Sequence, residues 1–204
     1  MILNSNEKKE VANLIIANSK LDISYLSINA IATIVACSGL LADSTTVIIG
    51  SMLIATLLSP IAVTALALTD KNKKGVTQGL KTLFIGVFLV MGIAYVFGQF
   101  FPNIEATHRM LVRTEPGIFD FIIAFFGGLA GAIALLFRRY NSIMIGVGIA
   151  TALVPPLSTA GIFFSKGSFA LGLKAVELAS INIGFILAAN YIVFKYYKIP
   201  YRIG

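Results

Sequence analysis

The chain has 204 residues, of which 57% are apolar and 12% charged, and its mean hydropathy is +0.89. A soluble domain carries about one quarter charged residues, so this composition excludes a soluble globular protein. The net charge of +7 does not indicate nucleic-acid binding, because the basic residues flank apolar stretches. The single cysteine, Cys37, excludes an internal disulfide and a metal site built from several cysteines.

Six apolar stretches follow a polar N-terminal segment, 1–21, and each is close to the roughly 20 residues that cross a bilayer core. They cover 22–41, 46–68, 80–101, 118–137, 142–164 and 172–194. A longer loop, 102–117, separates the third stretch from the fourth, and a short tail, 195–204, follows the last. The sequence therefore predicts an all-α membrane protein with six transmembrane helices.

The basic residues predict the orientation of the chain. Twelve of the 16 lysines and arginines fall on the side that holds both termini, and basic residues concentrate on the cytoplasmic side of membrane proteins. We therefore expect a multi-pass protein of the cell inner membrane with a cytoplasmic N-terminal segment, a cytoplasmic tail and an extracytoplasmic loop 102–117. In that loop, Glu105, Arg109 and Arg113 recur at helical spacing, which predicts a short surface helix.

Two segments of the chain are similar to each other at an offset of 96 residues. They are "IIGSMLIATLLSPI" at 48–61 and "MIGVGIATALVPPL" at 144–157. The same offset relates the first two apolar stretches to the fourth and fifth. Because three spans per repeat make the two halves enter the bilayer from opposite sides, the sequence predicts a 3+3 inverted repeat. The repeats are residues 22–101 and 118–194, and the aligned pairs are Ile49 and Ile145, Gly50 and Gly146, Leu57 and Leu153, and Pro60 and Pro156.

Proline interrupts the second and fifth predicted helices. Pro60 and Pro156 are each the fifteenth residue of their stretch, and proline in a helix interior costs about 3 kcal/mol because it removes a hydrogen bond and clashes with the preceding turn. We expect both helices to break near the membrane midplane, with half-helices beginning at Pro60 and Pro156. Irregular backbone at that depth persists only where it is buried in protein or lines a water-filled cavity, so the two breaks should meet.

The candidate site consists of the prolines and hydroxyl side chains at the two breaks. In one interpretation the hydroxyls satisfy carbonyls that the prolines leave free, and the breaks are structural. In the other, the positive N-terminal ends of the half-helices bind an anion or the polar end of a neutral solute. The absence of a mid-depth carboxylate favours such cargo over protons or divalent cations. The predicted substrate-binding residues are Thr56, Ser59, Pro60, Thr151, Pro155, Pro156, Ser158 and Thr159.

Small and amide residues inside the spans predict how the helices pack. Gly50, Gly146 and Gly148 are expected to let neighbouring helices approach closely. Asn29, Asn182 and Asn190 are amides within apolar stretches, and we expect them to form interhelical hydrogen bonds rather than to line a path.

The segments "IIGSMLIATLLSPI" and "IGVGIATALVPPLS" closely resemble a family of bacterial and archaeal membrane proteins, the domain of unknown function 389 (DUF389). The resemblance covers nearly all of residues 20 to 195. It implies a polytopic inner-membrane protein, but it supplies no settled substrate or mechanism.

The leading functional interpretation is a transporter or channel for a small solute or ion. The alternative is a non-transporting scaffold or sensor subunit, in which the breaks only pack helices. We do not expect an enzyme or a cofactor, because the spans contain no metalloprotease motif, serine–histidine pair or carboxylate dyad. The expected partners are the lipid bilayer, the small solute or ion and, because six short-looped helices make a thin bundle, further copies of the chain.

Overall fold

A computed structural model describes residues 4–103, 105–137 and 153–201, and within these ranges the chain is helical without strands. The order of elements follows the predicted stretches, with one additional helix at the N-terminus and a short one in the long loop. The helices are α1 (Ser5–Ala17), α2 (Ile23–Leu41), α3 (Thr45–Ile54), α4 (Leu58–Thr69), α5 (Lys73–Gln99), α6 (His108–Leu111), α7 (Ile118–Leu136), α8 (Val154–Ser165) and α9 (Phe169–Tyr197), and a 3-10 turn, Val112–Thr114, follows α6.

Four of the described helices, α2, α5, α7 and α9, are long and apolar enough to cross a membrane. The pair α3 and α4 makes a fifth candidate span if the two helices are counted together, since they are bent by 48° at a short break. For the described part of the chain, the prediction of an all-α protein is confirmed, and four to five candidate spans have the length and composition of membrane helices. The first part of the predicted fifth span, residues 142–152, lies outside the described residues, and α8 is its second part.

The N-terminal segment forms a helix that the hydropathy pattern did not predict. A capping box starts α1, because the Asn4 side chain accepts a hydrogen bond from the Glu7 N–H at 2.8 Å and the Glu7 carboxylate accepts one from the Asn4 N–H at 2.7 Å. Val11 and Ile15, one turn apart, are buried against a cluster that includes residues of α4, α7 and α9. The segment is thus part of the packed bundle.

Helix α2 defines the two ends of the bundle. Its 19 residues extend about 28 Å at 1.5 Å per residue. It begins at Asp22, whose side chain caps the helix by accepting a hydrogen bond from the Tyr25 N–H at 2.7 Å. It ends near the long loop, where the Thr107 hydroxyl donates a hydrogen bond to the Leu40 carbonyl at 2.7 Å. We refer to the end near α1 as the α1 side and to the end near residues 105–117 as the loop side.

Helix α5 is the surface on which α4 and α8 pack most closely. A Cβ atom placed on Gly161 of α8 would lie 2.4 Å from the carbonyl oxygen of Met91 in α5. A Cβ atom on Gly79 of α5 would lie 2.3 Å from the hydroxyl oxygen of Thr64 in α4. Close approach of this kind is a common mode of helix packing in membranes, where van der Waals contact is a main source of affinity between helices.

Several elements recur 96 residues apart. Helices α4 and α8 are both 12 residues long, and their first residues, Leu58 and Val154, are separated by this offset. The same separation relates the starts of α5 and α9. Just before those starts, Lys71 and Gly167 both adopt left-handed backbone conformations, with φ of 53° and 73°.

The C-terminal tail packs against the connection between α4 and α5. The Tyr201 N–H donates a hydrogen bond to the Asp70 carboxylate at 2.6 Å. The Tyr201 ring lies against Gly75, where a Cβ atom would be 2.5 Å from the ring. Burial raises the pKa of the Tyr201 hydroxyl above its ordinary value.

Candidate functional site

The first break lies before Pro60 rather than at it. Helix α3 ends at Ile54, Ala55 is extended with φ of −64° and ψ of 143°, and α4 begins at Leu58. The half-helix therefore starts two residues earlier than expected. Pro60 is the third residue of α4, a position whose N–H would have no intrahelical acceptor, so its missing donor costs little there.

The carbonyl of Thr56, which the sequence predicted to be freed by Pro60, has a partner. It accepts a hydrogen bond from the Ser59 N–H at 3.1 Å, which closes a tight turn between the two half-helices. The backbone at the break is thus satisfied locally. It does not need a ligand to complete this hydrogen bond.

The second half-helix, α8, also begins before the predicted residue. It starts at Val154, and Pro155 and Pro156 occupy its second and third positions. Proline is favoured in the first helical turn, because its φ is already helical and no intrahelical bond is lost. Three other predicted residues lie outside the described residues. They are Thr151 of the predicted site and the predicted helix-packing residues Gly146 and Gly148.

Asn29 of α2 holds the first break in place. Its Nδ2 donates hydrogen bonds to the Thr56 hydroxyl oxygen at 2.8 Å and to the Tyr25 carbonyl at 2.8 Å. Its Oδ1 accepts a hydrogen bond from the Thr56 N–H at 3.1 Å. Asn29 is fully buried, whereas Thr56 is half-buried and faces the cavity described below. The expectation that Asn29 forms an interhelical hydrogen bond is confirmed.

A cavity of about 300 Å³ lies on the α1 side of the break. Of the predicted site residues, Thr56 and Ser59 line it; Pro60 and the described predicted residues of α8 are buried but do not. Its volume is at the lower end of the range for small-molecule sites, about 300–1,000 Å³. The described residues that line it are Ile15, Asn18, Met52, Leu53, Ala55, Thr56, Leu57, Leu58, Ser59, Ala62, Leu135, Leu153 and Val154.

Among the described residues, the lining of this cavity is uncharged. Its polar side chains are Asn18, Thr56 and Ser59, and the rest of its lining residues are apolar. The first residues of α4 and α8, Leu58 and Val154, also lie in the wall. The last turns of α1, α3 and α7 lie in the same wall. Since helix N-termini carry a partial positive charge and C-termini a partial negative one, the wall combines neutral hydrogen-bonding groups with helix ends of both signs.

Helix α1 contributes Ile15 and Asn18 to the cavity, and sequence reasoning did not include either residue. The available signal was the capping box at Asn4 and Glu7, which marks a helix start, followed by apolar residues one turn apart at Val11 and Ile15. This pattern identifies an amphipathic helix but not the surface on which it packs.

Two hydroxyls of α8 are buried without a satisfied hydrogen bond. Ser158 and Thr159 are both fully buried, and within the described part of the chain their hydroxyls have no partner that meets hydrogen-bond geometry. Ser158 lies one turn before Ile162, which packs in the same apolar cluster as Cys37 of α2.

The glycine and asparagine predictions have mixed outcomes. A Cβ atom on Gly50 would meet no atom within 4 Å, so the described contacts do not require glycine there. Asn190 donates its Nδ2 to the Ile186 carbonyl of its own helix at 2.8 Å, which is an intrahelical bond instead of the expected interhelical one. The close helix contact is found instead at other glycines, such as Gly161, which is not part of the repeated Gly–Pro segment.

The loop residues 107–114 cover the loop-side end of α2. Besides the bond from Thr107 to Leu40, the Arg109 N–H donates a hydrogen bond to the Asp43 carboxylate at 2.8 Å. Met110 is fully buried in an apolar cluster with Cys37 and residues of α8. The pKa of Arg113 is lowered by burial and by the neighbouring charge of Arg109.

Comparison with known proteins identifies the family. The family model DUF389, described as a domain of unknown function, matches residues 52–188. An uncharacterized protein of Methanocaldococcus jannaschii is 31% identical over 205 aligned residues, which cover 96% of this chain and 64% of that protein. This chain therefore spans just under two thirds of the length of that relative. No solved structure matches the chain. The chain belongs to the DUF389 family.

Proposed function

We propose that this protein moves a small solute or ion across the membrane, as a transporter or channel, through a site at the broken helices. The supporting observation is the cavity of about 300 Å³ beside the unwound residues 55–57, with the start of α8 in the same wall. Irregular backbone inside a membrane is tolerated where it is buried in protein or lines a water-filled cavity. A cavity at such a break is the arrangement that a solute site requires.

The chemistry of the wall favours a neutral polar solute or an anion. The wall offers hydroxyl and amide groups together with the N-terminal ends of α4 and α8. These groups exchange hydrogen bonds with a neutral solute, and an anion would bind at the starts of α4 and α8, away from the partly negative last turns of α1, α3 and α7 in the same wall. Within the described part of the chain no carboxylate lines the cavity, and a carboxylate is what a proton relay or a divalent cation site would need.

The proposed architecture is six spans in a 3+3 inverted repeat, with both breaks near the midplane and both termini in the cytoplasm. The equal lengths of α4 and α8, their offset of 96 residues and the matched left-handed residues Lys71 and Gly167 support the repeat. The distribution of basic residues supports the orientation in the inner membrane. A homo-oligomer would enclose the site of such a thin bundle on all sides.

The alternative function is a scaffold or sensor subunit that transports nothing. The observation that favours it is the pair of hydrogen bonds between Asn29 and Thr56, because they satisfy the break without any ligand. In that case the cavity would be a packing feature. The two functions differ in whether occupying the cavity changes a flux.

Reconstitution into liposomes distinguishes the two functions. The flux assay follows osmotic shrinkage and swelling with a panel of small polyols, urea and monovalent anions. Ser59→Cys in a Cys37→Ala background places one thiol in the cavity wall, and a bulky thiol reagent is added after the protein has been reconstituted. Leu68→Cys, on the exposed side of the same helix α4, is the matched control.

If the proposal is right, modification of Ser59→Cys abolishes the flux, and modification of Leu68→Cys leaves it unchanged. Flux that persists after complete modification of Ser59→Cys would show that the solute does not pass this cavity. The purified protein showing no flux for any solute of the panel would favour the scaffold.

A further inference from the structure

One face of α2 carries polar side chains at every fourth position from the break towards the loop side. Asn29, Thr33 and Cys37 are four residues apart, so they lie one above another on the helix, and all three are fully buried. Asn29 is bonded to the break at Thr56. The polar face therefore starts at the unwound residues and continues away from the cavity.

Helix α8 places a hydroxyl against the far end of this face. Ser158 lies one turn before Ile162, which packs in the same cluster as Cys37, and its buried hydroxyl has no hydrogen-bond partner within the described residues. A buried polar group without a partner destabilises a packed interface, and an apolar residue of similar shape would serve that interface at least as well. A hydroxyl at this position therefore fits a surface that is not always dry.

An apolar cluster closes the polar face on the loop side. Cys37 contacts a cluster that includes Leu40 of α2, Phe163 of α8 and Met110 of the loop. Met110 is fully buried, and its segment is held by the hydrogen bonds from Thr107 to Leu40 and from the Arg109 N–H to Asp43. Met110 therefore closes the polar face, and two hydrogen bonds at the end of α2 hold its loop segment in place.

We propose that the face of Asn29, Thr33 and Cys37, with Ser158 opposite, is the second half of the solute route, and that Met110 is its gate. This inference rests on the proposed function, in which the cavity on the α1 side is the open half of the route. The route is closed on the loop side in this conformation. It opens when residues 107–110 lift from α2. Water then reaches the Ser158 hydroxyl, the Cys37 thiol and the oxygen of Thr33, whose hydroxyl donates to the Asn29 carbonyl at 2.6 Å, and these three groups can exchange hydrogen bonds with a small polar solute.

The native cysteine provides the test. The labelling rate of Cys37 is measured in proteoliposomes with a small, membrane-impermeant thiol reagent added from the loop side. The matched control is Ala36→Cys in a Cys37→Ala background, because Ala36 is adjacent, equally buried and on another face of α2. Local opening of the gate should make Cys37 react at least about tenfold faster than the control thiol.

A loop variant tests the gate itself. Thr107→Val removes the hydrogen bond to the Leu40 carbonyl and the one that the Thr107 hydroxyl accepts from the Met110 N–H. Losing these contacts should raise the labelling rate of Cys37 by at least about three- to tenfold. Met110→Ala removes the side chain that covers Cys37 on the loop side, so it should raise the labelling rate as well. It is the second variant if Thr107→Val does not fold. The rate at Ala36→Cys should not respond to either change.

Labelling of Ser59→Cys from the α1 side separates this inference from the proposed function. If Ser59→Cys reacts while Cys37 reacts no faster than Ala36→Cys and ignores the loop variants, the gate and polar route are wrong and the cavity remains the site. If Ser59→Cys is also inert in a folded protein, the proposed function fails together with the inference.

Discussion

The side chain of Asn29 bonds both the N–H and the hydroxyl of Thr56, a residue 27 positions away, at 3.1 and 2.8 Å. These bonds fix the point at which the chain leaves α3 and enters α4. The break is therefore set by a tertiary contact between α2 and the unwound residues. The prolines of the motif lie just inside the helices that follow, where they are compatible with a helix start.

Asn29→Ala should destabilise the protein by about 1–3 kcal/mol, because it leaves the half-buried N–H and hydroxyl of Thr56 without their partner. The free energy of unfolding can be measured in detergent by denaturant titration. Ser38→Ala is the control, since it removes an exposed intrahelical bond of the same helix and should change stability by less than about 0.5 kcal/mol. Equal stability of the two variants would contradict the role of Asn29.

Pro60→Ala should change the free energy of unfolding by less than about 1 kcal/mol, because Pro60 lies in the first turn of α4 and interrupts no intrahelical bond. Ser59→Cys should label equally well with and without the substitution. Ala65→Pro, in the interior of the same helix, should cost about 3 kcal/mol or more. A large loss of stability for Pro60→Ala would show that the proline itself maintains the break.

Gly161→Ala should destabilise the bundle by about 1–3 kcal/mol, because its Cβ would overlap the Met91 carbonyl of α5 and force α8 away. Gly92→Ala is the matched control on α5, where an added Cβ meets no atom within 4 Å. That substitution should leave stability unchanged or raise it by about 0.5–1 kcal/mol through helix propensity. Thermal unfolding in detergent measures both, and a neutral Gly161→Ala would disprove the close contact.

Tyr201 should make the attachment of the C-terminal tail dependent on pH at the alkaline end. Because burial raises its pKa in the folded state, the stabilisation is complete below the ordinary tyrosine pKa of 10.0 and is lost as the pH rises through the folded value. Proteolysis of the tail should therefore accelerate above pH 10. Tyr201→Phe cannot ionise and should show no such acceleration, and the same pH profile in both proteins would exclude Tyr201 as the cause.

The sequence by itself determined the class of protein, the family and the neighbourhood of the first break. Each of these depends on properties read along the chain: the length of apolar stretches, which must match a bilayer, and the recurring motif that ends in proline. Similarity along the chain does not reveal every correspondence between the halves. Lys71 and Gly167 are different residues, yet both adopt left-handed conformations at positions 96 residues apart.

The tertiary structure decided which residues meet. It placed the break at residues 55–57 before Pro60, added Ile15 and Asn18 of α1 to the cavity, and put the close helix contact at Gly161 instead of Gly50. In a membrane helix the lipid-facing and protein-facing sides are both apolar, so hydrophobic periodicity does not distinguish them. The partner of each small or polar residue is therefore fixed only when the helices pack.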